Sequence, residues 1–143
     1  YEKRRIINSF KKYNVNLSKI FFKIPLNRLD YINFFNLIDI NLDTFPYNGG
    51  TTSFESTFMN VPTLTLKNNS CMFRCGESIN QNLNMKDWIA KNEDEYIQKA
   101  LLFCNKKFIS DIKNKLNEMN SNSLLFDSKQ FSNEFVKMLE KIN

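Results

Sequence analysis

Residues 42 to 55 read Leu42-Asp43-Thr44-Phe45-Pro46-Tyr47-Asn48-Gly49-Gly50-Thr51-Thr52-Ser53-Phe54-Glu55. Two adjacent glycines let a backbone come close to a ligand. A helix expected to start at Thr51 or Thr52 would turn its first N–H groups toward the same place. Those groups and the helix dipole favour an anion, and the Thr51 and Thr52 hydroxyls add two donors. A phosphate or diphosphate fits such a place. Glu55, one turn further on, could accept hydrogen bonds from ribose hydroxyls, as acidic residues do in nucleotide folds. A purely structural reading stays open beside this one. Thr52-Ser53-Phe54-Glu55 matches a capping box, and Asn-Gly-Gly is an ordinary turn.

The elements around this stretch must hold it at the end of a sheet, since ligands of open α/β folds bind outside the carboxyl ends of strands. Leu37 to Leu42 reads as a strand leading into it, and a helix from Thr51 or Thr52 to about Asn60 leads out. Thr63-Leu64-Thr65-Leu66 follows as a strand of β-branched and apolar residues. Upstream, Ile6, Ile7, Phe10 and Tyr13 recur at helical spacing over 2–13. Lys19 to Ile24 is a short β-rich run closed by Pro25, and Asn27 to Phe35 can form a short helix. This alternation predicts an α/β fold with a parallel sheet and crossover helices.

Downstream, Ser70 to Asn80 can be helical. Asn92-Glu93-Asp94-Glu95 reads as an N-cap with an acidic first turn. The helix it opens should turn Tyr96, Ile97, Ala100, Leu101 and Cys104 to one side. Ile109, Ile112, Leu116 and Met119 continue the pattern in the next segment. Asp127-Ser128 should cap a last helix with Phe131, Phe135, Leu139 and Ile142 inward.

The chain has 143 residues, room for one domain. The chain is expected to open inside or directly before its first helix, and Tyr1 is read as a cut within a longer protein. Aromatic content of 14%, with 14 Phe, can fill a core. There is no His, which removes the commonest general base and metal ligand. Ser-His-Asp and Cys-His chemistry is therefore excluded within the chain. Three cysteines, Cys71, Cys75 and Cys104, are too few for a Cys-only zinc site and match no zinc spacing. No metal is expected. An odd cysteine count without a signal peptide favours a reduced, cytoplasmic setting. No apolar run approaches the ~20 residues that span a bilayer. The net charge of +5 is concentrated in residues 1–30, where eight basic side chains face Glu2 and Asp30. A solvated helix face accounts for it, so nucleic acid is not the expected partner. The abundant Asn and Lys read as compositional drift.

The stretch from Leu37 to Leu66 resembles the donor-binding segment of the family 41 glycosyltransferases, the O-GlcNAc transferase family. The matching residues are Leu37-Ile38-Asp39, Leu42-Asp43-Thr44, Pro46, Asn48-Gly49-Gly50-Thr51-Thr52, Glu55, Pro62 and Thr65. Phe73-Arg74 and Ser78 fall where the family has its Ser-Arg-Val and Ser segment. Ser123-Leu124-Leu125-Phe126-Asp127-Ser128-Lys129-Gln130-Phe131 resembles its C-terminal segment. The order is kept over nearly the whole chain.

The resemblance implies the Rossmann-like C-terminal half of a GT-B glycosyltransferase, often linked to tetratricopeptide repeats, that holds the UDP of a UDP-sugar, with residues 1–91 as a partial Rossmann-like UDP-binding region and 92–143 as a C-terminal helical segment packing on the same domain. UDP-GlcNAc is the family default, and a protein the implied acceptor. Carried over by position, Gly50, Thr51 and Thr52 would hold the diphosphate and Glu55 the ribose, where the family has Asp. Arg28 takes the place of a Lys beside the nucleotide, and Tyr31 that of a His lying against the uracil. Leu26 would offer backbone groups to the base. For Arg74, packing, a salt bridge and ligand contact stay open. Three positions depart from the pattern: Gly50 stands for a His, Phe34 for an Arg near the base, and Glu55 for the shorter Asp. The acceptor-side residues belong to an N-terminal catalytic lobe, so no catalytic residue is expected here, and the chain alone should be inactive. The alternative reading is a non-catalytic nucleotide-binding or protein/RNA interaction module.

Overall fold

A computed structural model describes residues 2–142, apart from the side chain of Met72. Tyr1 lies outside the described residues. The chain divides into two compact units, Tyr1–Tyr31 and Ile32–Asn143.

The first unit opens with helix α1 (Glu2–Lys12). It stops at Asn14, whose φ of 54° is left-handed, a conformation that Asn tolerates better than most residues. A 3-10 turn follows at Leu17–Lys19. The run from Lys19 to Ile24, expected as a strand, is not one. It is irregular, and Phe21 and Ile24 stand 86% and 85% exposed. β-propensity makes a strand only where a neighbouring strand supplies ladder partners. Asp30 instead orders the segment locally, accepting from the Leu26 N–H at 3.0 Å and pairing with Lys23 at 3.1 Å. The Leu26 N–H, then Lys23, hold this carboxyl below its ordinary range. Asn27 Oδ1 accepts from the Asp30 N–H where helix α2 (Arg28–Phe34) begins.

The second unit is built on three short parallel strands in the order β1-β2-β3. They are β1 (Asn41–Leu42), β2 (Thr63–Leu66) and β3 (Ile89–Ala90). Asn41 pairs with Thr63 and Leu42 with Leu64, while Thr65 pairs with Ile89 and Leu66 with Ala90. β1 is shorter than the expected Leu37–Leu42, because Phe35–Leu37 forms a 3-10 turn that buries Phe35. β3 carries no pattern of its own in the sequence. Helix α3 (Thr51–Phe58) crosses from β1 to β2, and α4 (Cys75–Asn82) from β2 to β3. Asn60 and Asn84 end them with φ of 57° and 54°. Side chains also start the later helices. Asn92 Oδ1 accepts from the Glu95 N–H for α5 (Glu93–Leu102), and Asn105 Oδ1 from the Lys107 and Phe108 N–H groups for α6 (Lys106–Asn122). Asp127 Oδ1 does the same for α7 (Ser128–Glu140). The Asn-rich composition thus has a structural use at helix ends.

The core joins Leu64 of β2, Ile79 and Leu83 beside α4, Met85, Trp88, Ala90, Tyr96, Phe103 and Leu116. Trp88, Phe103 and Phe108 meet edge to face with centroids 5.0 to 5.8 Å apart. Of the face expected on α5, only Tyr96 and Ala100 turn inward. Ile97, Leu101 and Cys104 are exposed, and Phe103 takes the inner position instead. The expected inner face of α6 packs as read, with Ile109, Ile112, Leu116 and Met119 on the core. That of α7 does not. No described residue of α7 is buried, and Phe131 and Ile142 stand 69% and 74% exposed. Periodicity locates an apolar face but not the surface that covers it.

These burials predict opposite outcomes for two truncations. Leu116→Ala should cost about 2–5 kcal/mol, and Phe131→Ala less than ~1 kcal/mol. Urea denaturation of the two variants checks this; similar losses would contradict the packing.

Candidate functional site

The chain leaves β1 at Asp43 and returns to regular structure at Thr51. Asp43 organises what lies between. The residue is 3% exposed. Oδ1 accepts from the Gly49 N–H at 2.7 Å and the Ser53 hydroxyl at 3.3 Å. Oδ2 accepts from the Thr65 hydroxyl at 2.8 Å and from Asn48 Nδ2 at 2.9 Å. Three segments therefore converge on one side chain: the loop, the first turn of α3, and β2. The main chain of Asp43 is held as well. Its N–H donates to the Leu64 carbonyl at 3.0 Å, and its carbonyl accepts from the Tyr96 hydroxyl at 2.9 Å. Within the loop, Thr44 Oγ1 donates to the Tyr47 carbonyl at 2.6 Å and Asn48 Nδ2 to that of Thr44 at 3.0 Å. Asn48 Oδ1 is buried without a hydrogen-bond partner among the described residues.

Two glycines leave the space this arrangement fills. A Cβ on Gly76 would come within 2.4 Å of Asp43 Oδ2 and 2.5 Å of Thr65 Oγ1. A Cβ on Gly49 would meet Ser53 Oγ at 2.7 Å. The bare backbone of Gly49 thus serves the protein's own carboxylate and hydroxyl. At Gly50 a Cβ meets nothing within 4 Å.

Burial pushes the Asp43 carboxyl above its ordinary range, against the Gly49 N–H first and then the Thr65, Ser53 and Asn48 donors, which favour the charged form. A carboxyl raised in the fold leaves stability fullest below the ordinary carboxylate range, and stability falls as pH rises through the folded value. The Tyr96 phenol is pushed up to about 12, by burial and then by the Asp43 charge.

Helix α3 begins at Thr51, with Gly50 at its N-cap position and no side-chain cap bond. The capping-box reading required Thr52 to cap, but Thr52 lies inside the first turn. The first helical bond is from the Phe54 N–H to the Gly50 carbonyl, at 3.0 Å. The N–H groups of Thr51, Thr52 and Ser53 precede it and have no intrahelical acceptor. Gly50, Thr51 and Phe54 line a depression of about 410 Å³ together with Cys75, Ser78 and Ile79 of α4. Glu55 follows on the same helix. Leu26, Arg28 and Tyr31 belong to the first unit. There the Arg28 guanidinium lies 5.4 Å from the centre of the Tyr31 ring, and the Leu26 N–H is engaged by Asp30. Arg74 forms a two-pronged salt bridge with Glu77, Nε to Oε2 at 2.7 Å and Nη2 to Oε1 at 3.1 Å. Gln81 donates to the same buried carboxylate. Among the described residues no group of three His, Cys, Asp or Glu side chains could hold a metal ion, and no helix is long and apolar enough to cross a membrane.

Sequence reasoning passed over Asp43 as a site residue. Its signal was an acid at a strand's carboxyl end ahead of a glycine pair. The hydroxyls of Thr65 and Ser53 that answer it carry no local mark.

A family model described as glycosyl transferase family 41 matches residues 2–135. The "Probable UDP-N-acetylglucosamine--peptide N-acetylglucosaminyltransferase SPINDLY" of Solanum lycopersicum is 36% identical over 104 residues, 72% of this chain and 11% of that protein. The protein of the same name from Petunia hybrida is 36% identical over 112 residues, 76% of this chain and 12% of its own length. The chain thus spans roughly a ninth of the relatives it matches. Among solved structures, a mutant of the Thermobaculum terrenum O-GlcNAc transferase superposes with a TM-score of 0.87 at 24% identity, covering 96% of this chain and 27% of that one. The fold is accordingly that of a Rossmann-like part of a GT-B glycosyltransferase.

The glycine contacts predict that Gly76→Ala destabilises the fold by about 1–3 kcal/mol through overpacking, while Gly50→Ala costs less, about 0.5–1 kcal/mol for the poorer N-cap residue. Thermal denaturation of both checks this; equal effects would contradict the hub geometry. The second expectation concerns pH. Neutral Tyr96 is favoured by the fold, so stability should hold up to the ordinary tyrosine value of 10.0 and fall as pH rises toward about 12. An ultraviolet titration should show one late-ionising phenol that disappears in Tyr96→Phe.

Proposed function

The chain belongs to glycosyl transferase family 41, and from that premise we propose that it is the donor-binding part of an inverting O-linked glycosyltransferase. The donor is a UDP-sugar, and the names of the relatives support UDP-GlcNAc with a peptide acceptor. The observation that carries the reading is the start of α3, where exposed Thr51 and Thr52 follow a loop tied down from beneath. In the proposed reaction an acceptor hydroxyl attacks the anomeric carbon of the sugar, the bond to the diphosphate oxygen breaks with inversion, and UDP departs. This part of the enzyme takes up the charge that grows on the diphosphate. N–H groups held in place before the reaction do this with little reorganisation, and the two Thr hydroxyls add to them.

Glu55 is proposed to accept from the ribose hydroxyls. Leu26, Arg28 and Tyr31 are proposed, on the family resemblance, to serve the base. Gly50 leaves open space where the family carries a His. The chain by itself is proposed to transfer no sugar, since the acceptor-side groups of the family belong to its other lobe.

Calorimetric titration of the chain with UDP, against GDP, ADP and inorganic phosphate, tests the reading. UDP should bind, and Thr52→Ala and Glu55→Ala should each weaken it about 10-fold or more while the fold persists. Equal binding of all four ligands, or UDP affinity unchanged in both variants, would remove the nucleotide site. Sugar transfer from UDP-GlcNAc by the purified chain would overturn the assignment of no activity.

A further inference from the structure

Asp43 does not face the depression beside Thr51, and nothing in the proposed reaction uses it directly. It is nonetheless the most heavily engaged side chain of the second unit's loop region. A carboxylate offers about four acceptor positions, and four donors meet it: the Gly49 N–H, the Ser53 hydroxyl, Asn48 Nδ2 and the Thr65 hydroxyl. Burial makes the ionised form unfavourable there. A group held against that tendency is better explained by the order it imposes than by the stability it adds.

We propose that Asp43 is the positioning residue of the anion-binding loop: it draws the Gly49 N–H and the Ser53 hydroxyl inward, so that the next N–H groups, at the start of α3, are aimed outward before the diphosphate arrives. The inference rests on the donor-site reading above and names the residue that sets its geometry. Three observations carry it. The two oxygens divide their work, Oδ1 holding Gly49 and the first turn of α3, Oδ2 holding Asn48 and β2. The carboxylate cannot shift toward α4, because Gly76 is already so close that even a methyl group would collide with Oδ2. The strand end that carries Asp43 is itself clamped by Leu64 and Tyr96. The loop is therefore referenced to the sheet through one side chain. Prior ordering of donors strengthens binding by removing the entropy loss that would accompany it.

Asp43→Asn keeps the shape and removes the charge. One of its two polar atoms becomes a donor facing donors, so the loop loses part of its anchorage. Because the buried charge is also gone, global stability should change little. Thr65→Val is the second variant, needed should Asp43→Asn fail to fold. It removes one donor to Asp43 from the strand side, distant in sequence from the loop. Leu116→Ala serves as a control that loses stability in the core. Two quantities are read on each folded protein: the affinity for UDP and the hydrogen-exchange rate of the Gly49 amide.

Asp43→Asn should lower UDP affinity about 10-fold or more and speed Gly49 exchange by a similar factor, with Thr65→Val acting in the same direction. Leu116→Ala should leave the affinity of its folded form within ~2-fold of wild type. Unchanged Gly49 exchange in Asp43→Asn overturns the proposal, as does an equal affinity loss in Leu116→Ala. If wild type itself binds no nucleoside diphosphate, the donor-site reading falls, and Gly49 exchange in Asp43→Asn still decides whether Asp43 orders the loop.

Discussion

A carboxylate taken out of water must find donors for both oxygens, and in this protein Asp43 finds them in three separate segments. That requirement governs the carboxyl end of β1. It draws Gly49 under the loop, holds the first turn of α3 through Ser53, and ties both to β2 through Thr65. A charge left unpaired in such a place would cost several kcal/mol. The alternative positions of the loop are excluded by the same cost. The loop after β1 is thus specified by electrostatics, while the cluster of Trp88, Phe103 and Phe108 is specified by the packing of rings.

The constraint extends outward in two directions. Toward α4 it demands a glycine at 76, since no Cβ fits between the helix and the carboxylate. Toward α5 it engages Tyr96, whose hydroxyl reaches the Asp43 carbonyl and whose ring meets Phe45 edge to face at 5.6 Å. The last contact joins the loop to the apolar core, because Tyr96 is itself a core residue. Under the donor-site function proposed above, a loop that receives a diphosphate gains from being ordered in advance, even where burying the ordering charge lowers stability.

Much of the fold was legible in the residues. The helix starts at Asn92 and Asp127 follow from caps, the α3 start near Thr51 from the glycine turn before it, and the strand Thr63–Leu66 and the inner face of α6 from propensity and periodicity. Thr51, Thr52 and Glu55 were legible as one cluster because they share a helix. Other elements were not. The Lys19–Ile24 run has strand-forming residues and no partner strand, and β3 has a partner but only two residues to announce it. Ile97 and Leu101 lost the inner face of α5 to Phe103, because the core stands on the side where Trp88 and Phe108 lie. The capping box at Thr52 failed by two residues: the helix starts at Thr51, and Gly50 occupies the cap position.

By itself the sequence determined the class of fold, the family, the helix starts at Asn92 and Asp127 and the location of the glycine loop. Each depends on interactions between residues a few positions apart, or on a string of motifs in order, and such signals survive without three-dimensional context. Only the tertiary structure decided which carboxylate governs that loop. Asp43 and Thr65 are 22 positions apart and Asp43 and Tyr96 are 53 apart, so no local pattern relates them. Parallel pairing of β1 with β2 brings Asp43 and Thr65 side by side, and the packing of α5 on the core brings the Tyr96 hydroxyl to the Asp43 carbonyl, where the absence of water makes each unmet donor or acceptor expensive.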